Sequence, residues 1–283
     1  MPRETAPGTD ARSRKVVGGR DLPVAIAVGV VLAAVFLGSL WWDARALVAV
    51  VALAAILAYI EAGRVLAGVG RRLLVPVLIV ATLTMLVGAY LAGPGGIVPG
   101  LLVLFGGAVG AQLVTRDRDG VVDTLGLTAL FGLWVGLLAS HAALLIVRPD
   151  GPVVVLAVVG AAVFSDIGAY GFGVAFGRHK LAPSISPAKS WEGLVGGLVV
   201  AAVAAAAVLP LLGDTFTAPT AALFGVAIGL AAAVGDLVES LLKRDLGVKD
   251  LGDLLPGHGG VLDRVDGILL ALPVGYYVLA AFS

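Results

Sequence analysis

The sequence predicts an all-α integral membrane protein, a polytopic bundle of about nine transmembrane helices. Three observations carry this reading. Of 283 residues, 59% are hydrophobic and only 13% are charged, where soluble domains carry about 25% charged residues. The mean hydropathy is +1.05, which leaves too little polar surface to coat a water-soluble core. The apolar residues also recur along the whole chain in stretches of spanning length, about 20 residues each. A single N-terminal block would instead read as a signal peptide.

The elements follow in order. Residues 1–21, MPRETAPGTDARSRKVVGGRD, form a polar tail, too poor in apolar side chains to bury a core. Residues 22–283 read as one helical membrane domain, with spans at about 22–42, 44–60, 73–92, 96–114, 125–147, 151–172, 193–212, 219–242 and 267–283. Trp41 and Trp42 close the first span as interface anchors. The stretch EAGRVLAGVGRR, 61–72, reads as a short interfacial helix without chemistry, and His141 as a packed histidine. The sixth and eighth spans carry polar residues toward their C-terminal ends, so they run past the hydrocarbon or break near it. Gly and Ala are frequent inside the spans, and in lipid such small residues let helices approach closely.

Charge orients the bundle. With nine spans, the tail and the loops after even-numbered spans share one side, and all 19 Lys and Arg except Arg45 and Arg148 fall there. The positive-inside rule makes that side cytoplasmic. The N-terminus is then inside and the C-terminus outside, in what reads as a bacterial plasma (inner) membrane. The formal net charge is zero, so nothing favours a nucleic-acid partner. Cysteine is absent, which excludes disulfides and thiolate metal sites. No matched pair of broken segments marks two transporter halves. A secondary transporter of an anionic solute is therefore the alternative reading rather than the first one.

Ionisable residues gather in two predicted cytoplasmic segments, 165–193 and 235–266, separated by two spans and so able to meet. In GDLVESLLKR, 235–244, Asp236, Glu239, Ser240 and Lys243 share one helical face. Carboxylates in a spanning helix usually face a cavity or a partner. In DRVD, Asp263 and Asp266 share a face if they begin the last span, where the helix dipole also favours acids. Asp250 and Asp253 are candidates for the same place. Clustered carboxylates repel unless a cation joins them, and hard oxygen ligands suit Mg²⁺ or a similar ion. The PGHGG turn allows tight backbone approach and an anion nest. Arg178, Lys180, Ser186, Lys189 and Ser190 supply further donors on a loop stiffened by Pro183 and Pro187. Cations, clustered carboxylates and a glycine nest together describe a site for metal-bound polyphosphate.

From Ser240 to Asp266 the chain reads SLLKR-x4-KDLGDLLPGHGGVLDRVD. This closely resembles the signature of the phosphatidate cytidylyltransferases, or CDP-diacylglycerol synthases. Upstream, Asp166, Ala169, Tyr170, Gly173, Gly177, Lys180 and ISPAKSWEG are similar to the same family. Ile167 and Ser190 stand where threonine is common. The specific likeness covers about residues 160–270, the expected catalytic region.

The resemblance implies that CTP and phosphatidate give CDP-diacylglycerol and pyrophosphate, with Mg²⁺ required and a second, monovalent cation as an open option. It implies that Asp236, Asp263 and Asp266 hold cations, and that Asp250 is an outer ligand or orients Lys249. Lys243, Arg244, Lys249 and Arg264 would neutralise phosphates, while His258, Gly259 and Gly260 cradle the triphosphate or the leaving pyrophosphate. Ser186, Lys189, Ser190 and Ser240 would contact substrate, and Arg178 and Lys180 the lipid headgroup. Oligomeric state is left open, a homodimer being one option.

Overall fold

The computed structural model describes residues 22–116, 118–255 and 259–282. His258 and its two preceding residues lie outside the described residues, as does the predicted tail. The helices are α1 Leu22–Trp42, α2 Ala44–Gly68, α3 Val75–Ala92, α4 Val98–Val114, α5 Val121–Phe131, α6 Leu138–Ile146, α7 Gly151–Phe176, α8 Trp191–Val208, α9 Ala218–Leu246 and α10 Leu262–Phe282. A two-stranded hairpin, β1 Lys180–Ala182 and β2 Ser186–Ser190, links α7 to α8. The all-α membrane class is borne out.

Seven segments are long and apolar enough to cross a membrane. One of them, Val75–Val114, has 40 residues. As a straight rod it would rise about 60 Å, twice the roughly 30 Å hydrocarbon thickness. It instead folds back at Gly93–Ile97 into α3 and α4. Gly96 lies on the Gly88 backbone, Gly100 on Ala81 and Met85, and Gly107 on Val77. Partner numbers fall as the chain number rises, so the two helices are antiparallel. Helix α1 adds a shorter apolar stretch, Ile26–Trp42. The difference between seven segments and about nine spans therefore lies in this hairpin and in α1.

Three sequence expectations need correction. The stretch 61–68 is no separate interfacial helix but the last turns of α2. The fifth span is a rod from Val121 to Ile146 that passes through a π turn at Gly132–Leu137. The 178–192 loop is a hairpin, with Trp191 N donating to the His179 carbonyl at its base. Glu192 fixes that base by accepting from the backbone amides of Arg178 and His179 and from the His179 ring.

Two apolar clusters hold the bundle. One centres on Tyr59, Leu78, Met85 and Phe131, and it reaches across to Leu251 and Leu262. The other centres on Val158, Phe224 and Ile228 with Leu272. Helices α7, α8 and α9 meet backbone to backbone. A Cβ on Gly197 would stand 2.6 Å from the Ser165 carbonyl oxygen, and one on Gly225 2.5 Å from that of Ala201. Lipid supplies no hydrophobic drive between helices, so such close approach is what holds them.

Candidate functional site

Chain direction brings the polar residues together. The C-terminal ends of α7 and α9 and the N-terminal ends of α8 and α10 share one end of the bundle, where Gly235 of α9 meets Gly267 of α10 and Lys189, just before α8, reaches Asp236. Helix α9 has 29 residues and so rises about 43 Å, more than the hydrocarbon needs. Its start is fixed by a capping box between Thr217 and Thr220. Its end is fixed by Gly247 in the left-handed region (φ 67°), with Lys243 and Arg244 in the last turn, where cations suit the helix dipole. Helix α8 starts at Ser190, whose buried hydroxyl accepts from Gly193 N at 3.1 Å.

The critical approach is between α9 and α10. A Cβ on Gly235 would stand 2.6 Å from the Asp266 carbonyl oxygen and 3.0 Å from Gly267 Cα. With no side chain between the helices, Asp236 comes beside Asp266. Gly235→Val should therefore prise α9 from α10 and abolish activity along with monodisperse, folded protein. Gly171→Ala, where a Cβ meets open space, should be neutral. Size-exclusion profiles and turnover of the two variants check this.

The result is a polar cavity of about 320 Å³. Six carboxylates line it (Asp166, Asp236, Glu239, Asp250, Asp263 and Asp266) against the cations Lys243 and Arg264. Asp236, Glu239 and Asp266 each offer an oxygen, all within 4.8 Å of one another. Glu239 is 2% exposed. Its Oε2 accepts from Lys243 at 2.5 Å, and its Oε1 is buried without a hydrogen-bond partner. A buried carboxylate oxygen left bare is costly, and an oxygen-seeking cation removes that cost.

Asp263 is placed differently from the predicted trio. Its Oδ1 accepts from Lys243 at 2.8 Å, and its Oδ2 from Gly260 N at 2.9 Å and Leu251 N at 3.1 Å. The carboxylate is thus turned onto donors, and Glu239 joins Asp236 and Asp266 in its stead. Glu239 lies on the face that helical spacing predicts, but spacing alone does not mark it as a ligand. Asp166 also lines the cavity, and an acid inside a span is itself the sequence signal for such a place.

The other predicted residues distribute as follows. Lys189 reaches Asp236 at 2.7 Å, and the Ser240 hydroxyl donates to Asp236 at 3.3 Å. Arg264 and Asp250 line the cavity, and Lys249 lies exposed at its rim loop. Arg244 donates to the Ile185 carbonyl at 3.0 Å, tying α9 to the hairpin. Ser186 begins β2, with Arg178 and Lys180 exposed near the other strand. Gly259 has positive φ, 83°, as a tight turn requires, and its carbonyl accepts from Leu255 N. The Gly260 amide is engaged by Asp263.

This geometry meets a consistent set of relatives. Residues 23–282 match the family model described as the cytidylyltransferase family. A phosphatidate cytidylyltransferase of Mycobacterium bovis is 39% identical, covering 92% of this chain and 89% of that protein. One from Mycobacterium leprae is 36% identical over 98% of this chain and 95% of its own. One from Pseudomonas aeruginosa is 45% identical over 53% of this chain. A membrane bundle with a carboxylate-rich polar cavity at one end, matched over nearly its full length, thus belongs to the cytidylyltransferase family.

Proposed function

We propose that this protein is a CTP:phosphatidate cytidylyltransferase that forms CDP-diacylglycerol at the cytoplasmic face of a bacterial inner membrane. A phosphate oxygen of phosphatidate attacks the α-phosphorus of CTP. A phosphoanhydride bond forms, the α–β bond breaks, and pyrophosphate leaves. Phosphatidate is already ionised at neutral pH, so the attack needs no general base. Phosphatidate keeps its headgroup at the interface and CTP comes from the aqueous side. A polar cavity at one end of a lipid-embedded bundle serves both.

The observation that carries the reading is the bare, buried Oε1 of Glu239 beside Asp236 and Asp266. Six carboxylates against the three cations Lys243, Lys189 and Arg264 would repel a triphosphate. The donor set is all carboxylate oxygen, which fits Mg²⁺. Asp236, Glu239 and Asp266 would hold it, and when bound it neutralises phosphate charge. The protein's own residues do the rest. Lys243, held between Glu239 and Asp263, presents a fixed positive charge at the cavity wall. Lys189 brings a second from the hairpin, and Arg264 a third from α10. These charges orient the two polyanions for in-line transfer, and positioning of this kind supplies most of the rate in phosphoryl-type chemistry. Arg178 and Lys180, exposed near the hairpin, take the lipid headgroup, and Lys249 the outer phosphates.

Purified protein given radiolabelled CTP, phosphatidate and Mg²⁺ should yield labelled CDP-diacylglycerol, and a chelator should stop it. Labelled lipid that is indifferent to chelator would remove the cation from the reading, and no labelled lipid would remove the function. Uptake of an anion into proteoliposomes without CTP would revive the transporter alternative, which neither the fold nor the relatives support.

A further inference from the structure

The segment between α9 and α10 carries the densest part of the motif, and its described residues on either side of 256–258 are held from the other half of the chain. Glu61, on α2, is 3% exposed. Its Oε1 accepts from Leu254 N at 2.6 Å and its Oε2 from Val261 N at 2.7 Å, partners 193 and 200 residues away. The two amides flank the PGHGG turn on either side. Gly252 closes the contact, for a Cβ there would stand 2.3 Å from the Glu61 carboxyl carbon. The same end of the bundle is tied once more, by Arg71, which pairs with Asp245 at 3.3 Å. A buried carboxylate with both oxygens on backbone amides makes strong, charge-assisted bonds. Neutral glutamine cannot replace it, because its amide group would turn a donor toward one of the two N–H groups.

We infer that Glu61 is a positioning residue for the nucleotide: it holds Leu254 and Val261, and through Val261 the adjoining Gly259 and Gly260, in one arrangement for the CTP phosphates. It touches no substrate and acts only through the loop. Lipid binding, assigned to the hairpin, does not depend on it. The inference rests on the cytidylyltransferase reading, and its test separates the two.

The experiment compares full-length wild type, Glu61→Gln and Gly252→Ala in lipid nanodiscs. KM for CTP, KM for phosphatidate and kcat are measured beside hydrogen exchange at the Leu254 and Val261 amides. Leaving one buried amide unpaired predicts a rise of about tenfold in the CTP KM. The phosphatidate KM should stay within about twofold, with faster exchange at both amides. Gly252→Ala should give the same split with Glu61 intact, because it pushes the carboxylate off the loop. Unchanged CTP KM in both variants would overturn the inference, as would equal rises in both KM values. Failure of both variants to insert and purify would overturn it too, assigning Glu61 to folding alone. A wild type that makes no CDP-diacylglycerol would defeat the functional reading instead, and the exchange data would still decide whether Glu61 holds the loop.

Discussion

Asp236→Asn is expected to cut turnover by about a hundred- to a thousandfold while leaving the protein as stable as before. The reason is the mismatch between what Asp236 does for folding and what it does for charge. Its carboxylate is 42% exposed and, among the described residues, pairs with Lys189 and the Ser240 hydroxyl. Such partly exposed pairs contribute about 0–1 kcal/mol. Removing one of six clustered carboxylates also relieves repulsion, so the two stability effects nearly cancel. Activity has no such offset. An amide is a far poorer ligand for a hard divalent ion than a carboxylate, and the transferred phosphate then meets unneutralised charge. Losing one electrostatic contact of this kind costs about a hundred- to a thousandfold in kcat. Labelled CDP-diacylglycerol formation and the thermal midpoint in detergent check the two halves. Activity within about tenfold of wild type would take Asp236 out of the cation site.

How much of this was legible in the sequence depended on the range of the interaction. Span positions were readable because hydropathy is a local property, and α7 and α9 differed only in running further than predicted. Their extra turns carry charge that hydropathy discounts. The α9 face bearing Asp236, Glu239 and Lys243 was readable from helical spacing alone. Which carboxylate oxygens meet backbone amides and which stay bare was not, since that depends on where Leu251 and Gly260 lie in the fold. The sequence places Asp263 and Asp266 on one face of α10. Only the fold shows Asp263 turned onto Lys243 and two amides, with Glu239 left bare. Glu61 was invisible for a stronger reason. Its partners are backbone amides about 200 residues away, and amides leave no mark in a sequence. The short helix predicted over 61–72 hid it further, by assigning a buried acid to the membrane surface.

Asp263→Asn tests the division of labour among the aspartates and should behave unlike Asp236→Asn. Both oxygens of Asp263 accept: one from Lys243, the other from Gly260 N and Leu251 N. Asparagine offers one acceptor and one donor group. In either flip it sets a donor against donors, facing Lys243 or facing the two amides. The side chain is only 2% exposed, so water cannot repair the loss. Each buried group left unsatisfied costs about 1–3 kcal/mol, and more when it is charged. Leu251 and Gly260 lose their anchor on α10, and among the described residues Lys243 keeps Glu239. Turnover should fall by about a hundredfold or more, and the thermal midpoint should fall with it, which it does not in Asp236→Asn. Raising Mg²⁺ should recover part of the activity of Asp236→Asn, whose cation site is weakened but whose loop is intact, and none of that of Asp263→Asn. If Asp263→Asn instead kept full thermal stability and answered to Mg²⁺, its carboxylate would belong among the cation ligands, and the ion pair with Lys243 would be one that a bound cation displaces.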